Sequence, residues 1–409
     1  MPDYQRMRYI CDKTSRISDR FIDDFLLYLC AQEEGLGEKF AQKLVNYKHL
    51  VEKMPKGWDF GLMTQYTAFQ LFRRGGLAQK YISHPKVLNR NAKEIDYLKF
   101  QAEHPWRFVF CSVNQFLRDS FFEMTDVITG EEFLLYSPAV ASLEEKKSVS
   151  IYFLLIGFNG QCLQTYGPVA YFQGLLPFDL HYFTKQICSA PVSWDEIPMV
   201  IEEDPLPFMM LWVGAERPLV YHRKDMVVNT FSAYRVEQFD AGEYASKFFV
   251  EQKEDLYKLS FKRWHRFPHF CQCFYSAKDR ILHISAQTER GYEKLITTLN
   301  QMGHEFSREP QNRATMTMLF LASDILGKEI KLNSYAEYFT EQSAPASPEE
   351  EELMERLNHF SKLLIEAINK GKPYDLEKIA DQAGIDYENA KRIVAGVERM
   401  IERTRTVRR

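Results

Sequence analysis

The sequence predicts an α+β protein: a helical first quarter, a central, mostly antiparallel sheet region with helices, a linker, and a helical C-terminal unit. Three observations carry this. Apolar residues recur at helical spacing through residues 1–105. Strand-length apolar runs separated by Gly-containing turns fill 106–340, without regular strand–helix–strand alternation. A Ser/Ala/Pro stretch at 341–348 then precedes a segment, 349–409, that returns to the helical period.

In the helical region, Ser18 is the expected N-cap of a helix carrying Phe21, Ile22, Phe25, Leu26 and Leu29, with Gly35 and Gly37 as its stop. A second amphipathic helix carries Phe40, Leu44, Val45, Leu50 and Val51. A third covers about 60–73 and stops at Gly75-Gly76; a fourth covers about 92–102 and is closed by Pro105. Short connections between them suggest an antiparallel helical unit.

The sheet region opens with Arg107-Phe-Val-Phe-Cys111. A hairpin follows across Thr129-Gly130, and a second joins 150–157 to 162–172 across Asn159-Gly160, the preferred pair for a type I′ turn. That turn would set Ile156 opposite Leu163 and Phe153 opposite Tyr166. The run Tyr152–Ile156 is apolar on both faces and predicts a strand covered on both sides. Gly167-Pro168 predicts a break or kink. Beyond it, helices are expected at 177–187, 194–201, 240–247 and 291–301. Strands are expected at 208–213, 219–222, 226–236, 248–251 and 256–261, with a further hairpin of 270–275 and 281–286.

With 409 residues, 45% hydrophobic and 14% aromatic, the chain can bury a large core and spans more than one ordinary domain. A formal net charge of −4 confines any polyanion contact to a local patch. Seven scattered cysteines fit reduced thiols of a cytoplasmic protein better than a disulfide framework. No secretory signal or membrane-length apolar run is visible, so no membrane partner is expected, and no motif implies a cofactor. Phosphate-loop, dinucleotide, nucleophile-elbow and zincin signatures are all missing.

The most informative constellation is Leu376–Val394. Ala380 is a small residue suited to a helix crossing, Gly384 stands four later, Ile385 follows, and Ala390 and Ile393 fall where a second helix would pack on the first. Close approach, a positive φ and inward apolar groups are what a tight helical corner needs. The stretch resembles a helix-turn-helix, and with a preceding helix at about 349–369 it would form a three-helix unit. The resemblance implies nucleic-acid contact by the second helix, through Asn389, Lys391 and Arg392 and, beyond it, Arg399. Seven basic and two acidic residues lie between Lys391 and Arg409, although Asp386 and Glu388 open the second helix with the opposite charge.

Other candidates are thinner. Lys258, Lys262, Arg263 and Arg266 interleave with Tyr257, Phe261, Trp264 and Phe267, a pattern that suits single strands but also a strand with one polar face. His269, Cys271 and Cys273 are ligand types on one strand face, without a second pair at finger spacing. Asp240, Glu251 and Lys253 resemble the carboxylate and Glu-x-Lys pattern of metal-dependent nucleases. The resulting expectation is a binding or regulatory protein that contacts nucleic acid or a protein through its C-terminal unit. An interaction protein with internally packed C-terminal helices, and a metal-dependent nuclease, are the alternatives.

Overall fold

The computed structural model describes residues 3–144, 150–188, 190–330, 335–339, 348–369 and 375–394, and the architecture is α+β. Trp106 leads into five strands, β1 (Arg107–Arg118), β2 (Phe121–Asp126), β3 (Glu132–Tyr136), β4 (Ile151–Phe158) and β5 (Leu163–Phe172). They close a barrel in the order β1-β2-β3-β5-β4, with β3 parallel to β5 and the helix Pro138–Glu144 between β3 and β4. This is a closed five-stranded barrel in which only the β3–β5 pair is parallel. Val109, Cys111, Phe122, Met124, Leu135 and Leu154 fill its interior, and Val140 of the helix joins that cluster.

β4 is buried along nearly its whole length, as its doubly apolar run predicts. Phe108, Phe110, Phe153 and Leu155 belong instead to the large cluster shared with the N-terminal helices. β1 is longer than its opening five residues suggest. It ends in a two-residue turn, Asp119-Ser120, with both φ positive, before β2 returns.

The β4–β5 hairpin departs from the expected register. Phe158 pairs with Leu163 and Ile156 with Thr165, so four residues, not two, make the loop. Asn159 explains this. Its Oδ1 accepts from the N–H groups of Gln161 and Cys162, both at 3.0 Å, and its Nδ2 donates to the Cys11 Sγ (3.2 Å) and Gln164 Oε1 (3.1 Å). The side chain stabilises the wider loop and ties it to the N-terminal helix. The kink expected at Gly167-Pro168 is present. Gly167 has φ +71, and Gln65 Nε2 donates to the carbonyls of Tyr166 (3.1 Å) and Pro168 (2.9 Å).

Ser18 is not an N-cap. Asp3 caps a helical path that starts at Tyr4 and runs to Glu34, with a nine-residue π-helical stretch, Ser18–Leu26, inside it. Met7 and Cys11, one turn apart, extend the apolar stripe to the barrel, where they pack with Phe121, Tyr136 and Cys162. Gly35, at φ +63, ends the path. Helices at Trp58–Phe72 and Ala92–Glu103 lie as the sequence predicts. Val45, placed on an apolar face by its spacing, is exposed.

Beyond the barrel, helices Pro177–Ile187 and Ile197–Glu203 form as expected, Pro198 being tolerated in the first turn. The segment 208–213, expected as a strand, is helical: Leu206–Met210 continues into a short 3-10 turn, Leu211–Gly214. A run apolar on all sides suits a buried helix as well as a strand. The strand expected at 219–222 shrinks to β6 (Tyr221–His222), paired with β7 (Asp225–Met226).

β8 (Val228–Arg235), β9 (Phe248–Lys253), β10 (Leu256–Phe261), β11 (Gln272–Ser276), β12 (Ile281–Ala286) and β13 (Asn312–Thr315) form a second sheet, ordered β13-β8-β12-β11-β10-β9 and antiparallel throughout. Helix Glu289–Gln301 covers one face through Tyr292, Leu295, Ile296 and Leu299.

Helix Pro177–Ile187, which follows the barrel, is tied to the second sheet at Asp179. Its carboxylate accepts from Leu176 N–H (2.9 Å), Thr315 N–H (2.7 Å) and the Thr315 hydroxyl (3.1 Å). Thr315 ends β13 and caps helix Met316–Leu326, which enters the large cluster through Met318, Leu321 and Ala322. Burial raises the Asp179 carboxyl to about 7, against the lowering effect of those three donors.

Candidate functional site

The C-terminal residues form their own apolar cluster: Phe360 and Leu364 from helix Pro348–Asn369, Ile379, Ala380 and Ala383 from Leu376–Ala383, then Ile385, Ala390 and Val394. Asp375 caps the second helix by accepting from Lys378 N–H (3.3 Å). Gly384 ends it at φ +67, and Ile385 N–H returns to the Ala380 carbonyl at 2.9 Å. The positions expected to be small, left-handed or inward are so placed. Residues 341–347 of the expected linker and Arg399 lie outside the described residues; Pro348, given to the linker, begins a helix.

Residues 387–394 are helical, and Asp386 caps them. Its Oδ1 accepts from the N–H groups of Glu388 (2.7 Å) and Asn389 (3.4 Å). Of the two acidic residues that oppose a polyanion, Asp386 therefore directs its charge to its own helix N-terminus, while Glu388 is exposed. Tyr387, Asn389, Lys391 and Arg392 are exposed while Ala390 and Val394 are buried.

The other candidates are occupied elsewhere. Asp240 caps the short helix Ala241–Tyr244 through Gly242 N–H (2.8 Å). Glu251 pairs with Lys258 across β9 and β10 (3.2 Å), and Lys253 donates to the Tyr338 carbonyl (2.7 Å). The cleft that Asp240 lines includes neither Glu251 nor Lys253. The His269 ring bonds to the Thr288 hydroxyl (2.7 Å). Cys271 and Cys273 are buried beneath helix Glu289–Gln301, which pushes both thiols up and away from the thiolate a metal needs. Among the described residues no three His, Cys, Asp or Glu side chains are grouped to hold a metal. In the basic stretch, Lys262 is anchored to the Ala245 carbonyl (2.7 Å) and Lys258 to Glu251.

Barrels of this strand order serve many functions, so side chains must decide. β2 and β3 expose Glu123 and Glu132, which would repel a nucleic acid, and helix Tyr4–Ile17 packs over Phe121 and Tyr136 at one end.

The sequence reading missed a cavity of about 620 Å³ between the π-helical stretch, helices Trp58–Phe72 and Ala92–Glu103, and the β4–β5 hairpin. Trp106 lines its inner wall. The indole stacks on Phe72 at 4.3 Å and donates to Gln101 Oε1 at 2.6 Å. Gly157 makes room for that ring: a Cβ there would meet the indole Nε1 at 2.4 Å. The Tyr166 hydroxyl donates to Asp23, which stands at the mouth with Asp19 and Asp24. The cavity walls dehydrate Asp23 enough to raise its carboxyl, the Tyr166 bond opposing. Ser18 is nine-tenths buried against the cavity. Its Oγ completes no hydrogen bond, although the Tyr97 phenol lies near enough to feel it. Polar residues at 18, 19, 23 and 24 within an apolar helical stripe were the one sequence signal.

No family model matches the chain, nor does any curated protein or solved structure. Among the described residues no helix is long and apolar enough to cross a membrane.

Proposed function

We propose that the chain is a binding or regulatory protein whose C-terminal helical unit contacts nucleic acid. The observation that carries this is the helix 387–394. It is seated on its own small core and presents Asn389, Lys391 and Arg392 outward, with Asp386 turned to capping and Glu388 exposed beside Asn389. Arginine, lysine and asparagine are suited to phosphates and base edges. Exposure of Tyr387, Lys391 and Arg392 supports contact with another molecule over docking on the chain's own body.

Fluorescence anisotropy of the intact protein with mixed-sequence duplex and single-stranded DNA, over a salt series, tests this. Replacing both cations (Lys391→Gln with Arg392→Gln) is expected to weaken binding and to reduce the slope of log affinity against log salt by about 2. No salt-sensitive binding by the wild type, or an unchanged slope in the double variant, would overturn the reading and favour a protein partner.

A further inference from the structure

We propose that the cavity between the N-terminal helices and the barrel is a binding site for a small organic cation, an ammonium or guanidinium group carried on an apolar or aromatic body. The charge of the lining argues first. Asp19, Asp23 and Asp24 stand at the mouth, and among the lining residues there is no lysine, arginine or histidine to neutralise them. Such a site repels phosphates and carboxylates and concentrates cations.

The aromatic lining argues second. Tyr28 and Phe60 stand at the mouth 73% and 67% exposed, although large apolar rings at a protein surface gain from cover. Trp106, Tyr166 and Phe158 continue the aromatic surface inward. Ring faces attract a cation that has shed part of its water, and carboxylates at the same mouth add to the attraction.

Third, the Ser18 hydroxyl is buried against this space with the Tyr97 phenol, which also lines it, beside it. The two hydroxyls offer polar groups on the inner wall to an oxygen or nitrogen of an occupant. Ser18 is the first residue of the π-helical stretch.

A metal ion fits less well. A bare metal ion needs its ligands gathered, and no three such side chains are grouped among the described residues. A volume of about 620 Å³ is that of a small-molecule site rather than an ion site.

The test is calorimetric titration of the intact protein, with Trp fluorescence as a second readout. The probes are choline, benzyltrimethylammonium, agmatine and spermidine, with 3,3-dimethylbutan-1-ol as the uncharged match to choline and adenosine monophosphate as the anion. At least one cation is expected to saturate a single site, and the neutral alcohol to bind about tenfold more weakly than choline or not at all. Asp23→Asn and Asp24→Asn, each shown folded by circular dichroism, are expected to weaken cation binding by about tenfold together. Asp23 and Asp24 are both exposed, but Asp23 also accepts from the Tyr166 hydroxyl, so Asp24→Asn reports even if Asp23→Asn misfolds. The proposal is overturned if no cation of the four binds below about 10 mM. It is equally overturned if the alcohol matches choline, if the anion binds in preference, or if the carboxamide variants bind cations as the wild type does.

Discussion

Replacing Asp179 by alanine is expected to cost about 3 kcal/mol or more of unfolding free energy at pH 5. The carboxyl is completely buried and receives Leu176 N–H, Thr315 N–H and the Thr315 hydroxyl. Alanine leaves the N–H groups of Leu176 and Thr315 without that acceptor at a buried position between helix Pro177–Ile187 and β13. Asparagine is expected to cost less than alanine but more than a surface change, because one of its two polar atoms is a donor facing donors.

The same side chain sets a pH dependence whose sign can be worked out. The folded carboxyl is raised to about 7, while an unfolded aspartate titrates near 4. Between those values the native chain holds a proton that the unfolded chain has lost. This group's contribution to stability is therefore fully present below about pH 4, falls as the pH rises toward 7, and is level above that. The stability difference between wild type and Asp179→Ala, measured by urea unfolding at pH 5, 6, 7 and 8, should shrink with rising pH. Taking the difference cancels the other titrating groups. A flat difference would mean that Asp179 is ionised throughout.

The second large effect is expected at Gly157. An added methyl would lie 2.4 to 2.8 Å from three atoms of the Trp106 indole. That ring can move only by giving up its stacking on Phe72 and its bond to Gln101, whose amide in turn holds the Phe158 carbonyl at 3.0 Å. Gly157→Ala is expected to destabilise by about 2 kcal/mol through overpacking. It should also shift the Trp fluorescence as the ring is displaced into the cavity. Gly160→Ala serves as the comparison. Its φ of +92 strains a side chain, but the nearest neighbour is the Phe100 ring at 3.8 Å, so the cost is about 1 kcal/mol and the Trp106 signal stays unchanged. Equal costs with no fluorescence change at either position would show that Trp106 is not held as described.

Elements whose pattern and punctuation agree were legible from the chain. Helix Trp58–Phe72 with Gly75-Gly76 beyond it, β4 with its doubly apolar run, and the corner at Gly384 are local: period, turn residue and cap lie within a few positions of each other. Misreadings occurred where a distant residue decides. Asn159-Gly160 by itself favours a two-residue turn; the Asn159 contacts to Cys11 and Gln164 accompany a four-residue loop instead. Ser18 by itself is a good N-cap, but Asp3 starts the helix earlier and packing on the barrel carries the path through it.

The same division holds for sites. The sequence by itself determined the α+β class, the order of most elements and the inward positions of the C-terminal unit, because hydrophobic period and glycine conformation are properties of short segments. Only the tertiary structure decided that Asp240, Glu251 and Lys253 have separate partners, that Asp386 caps its own helix, and that Asp23, Ser18, Trp106 and Tyr166 share one cavity. These residues are up to 148 positions apart in the chain. Their proximity follows from closure of the barrel against the helices, and no local period encodes it.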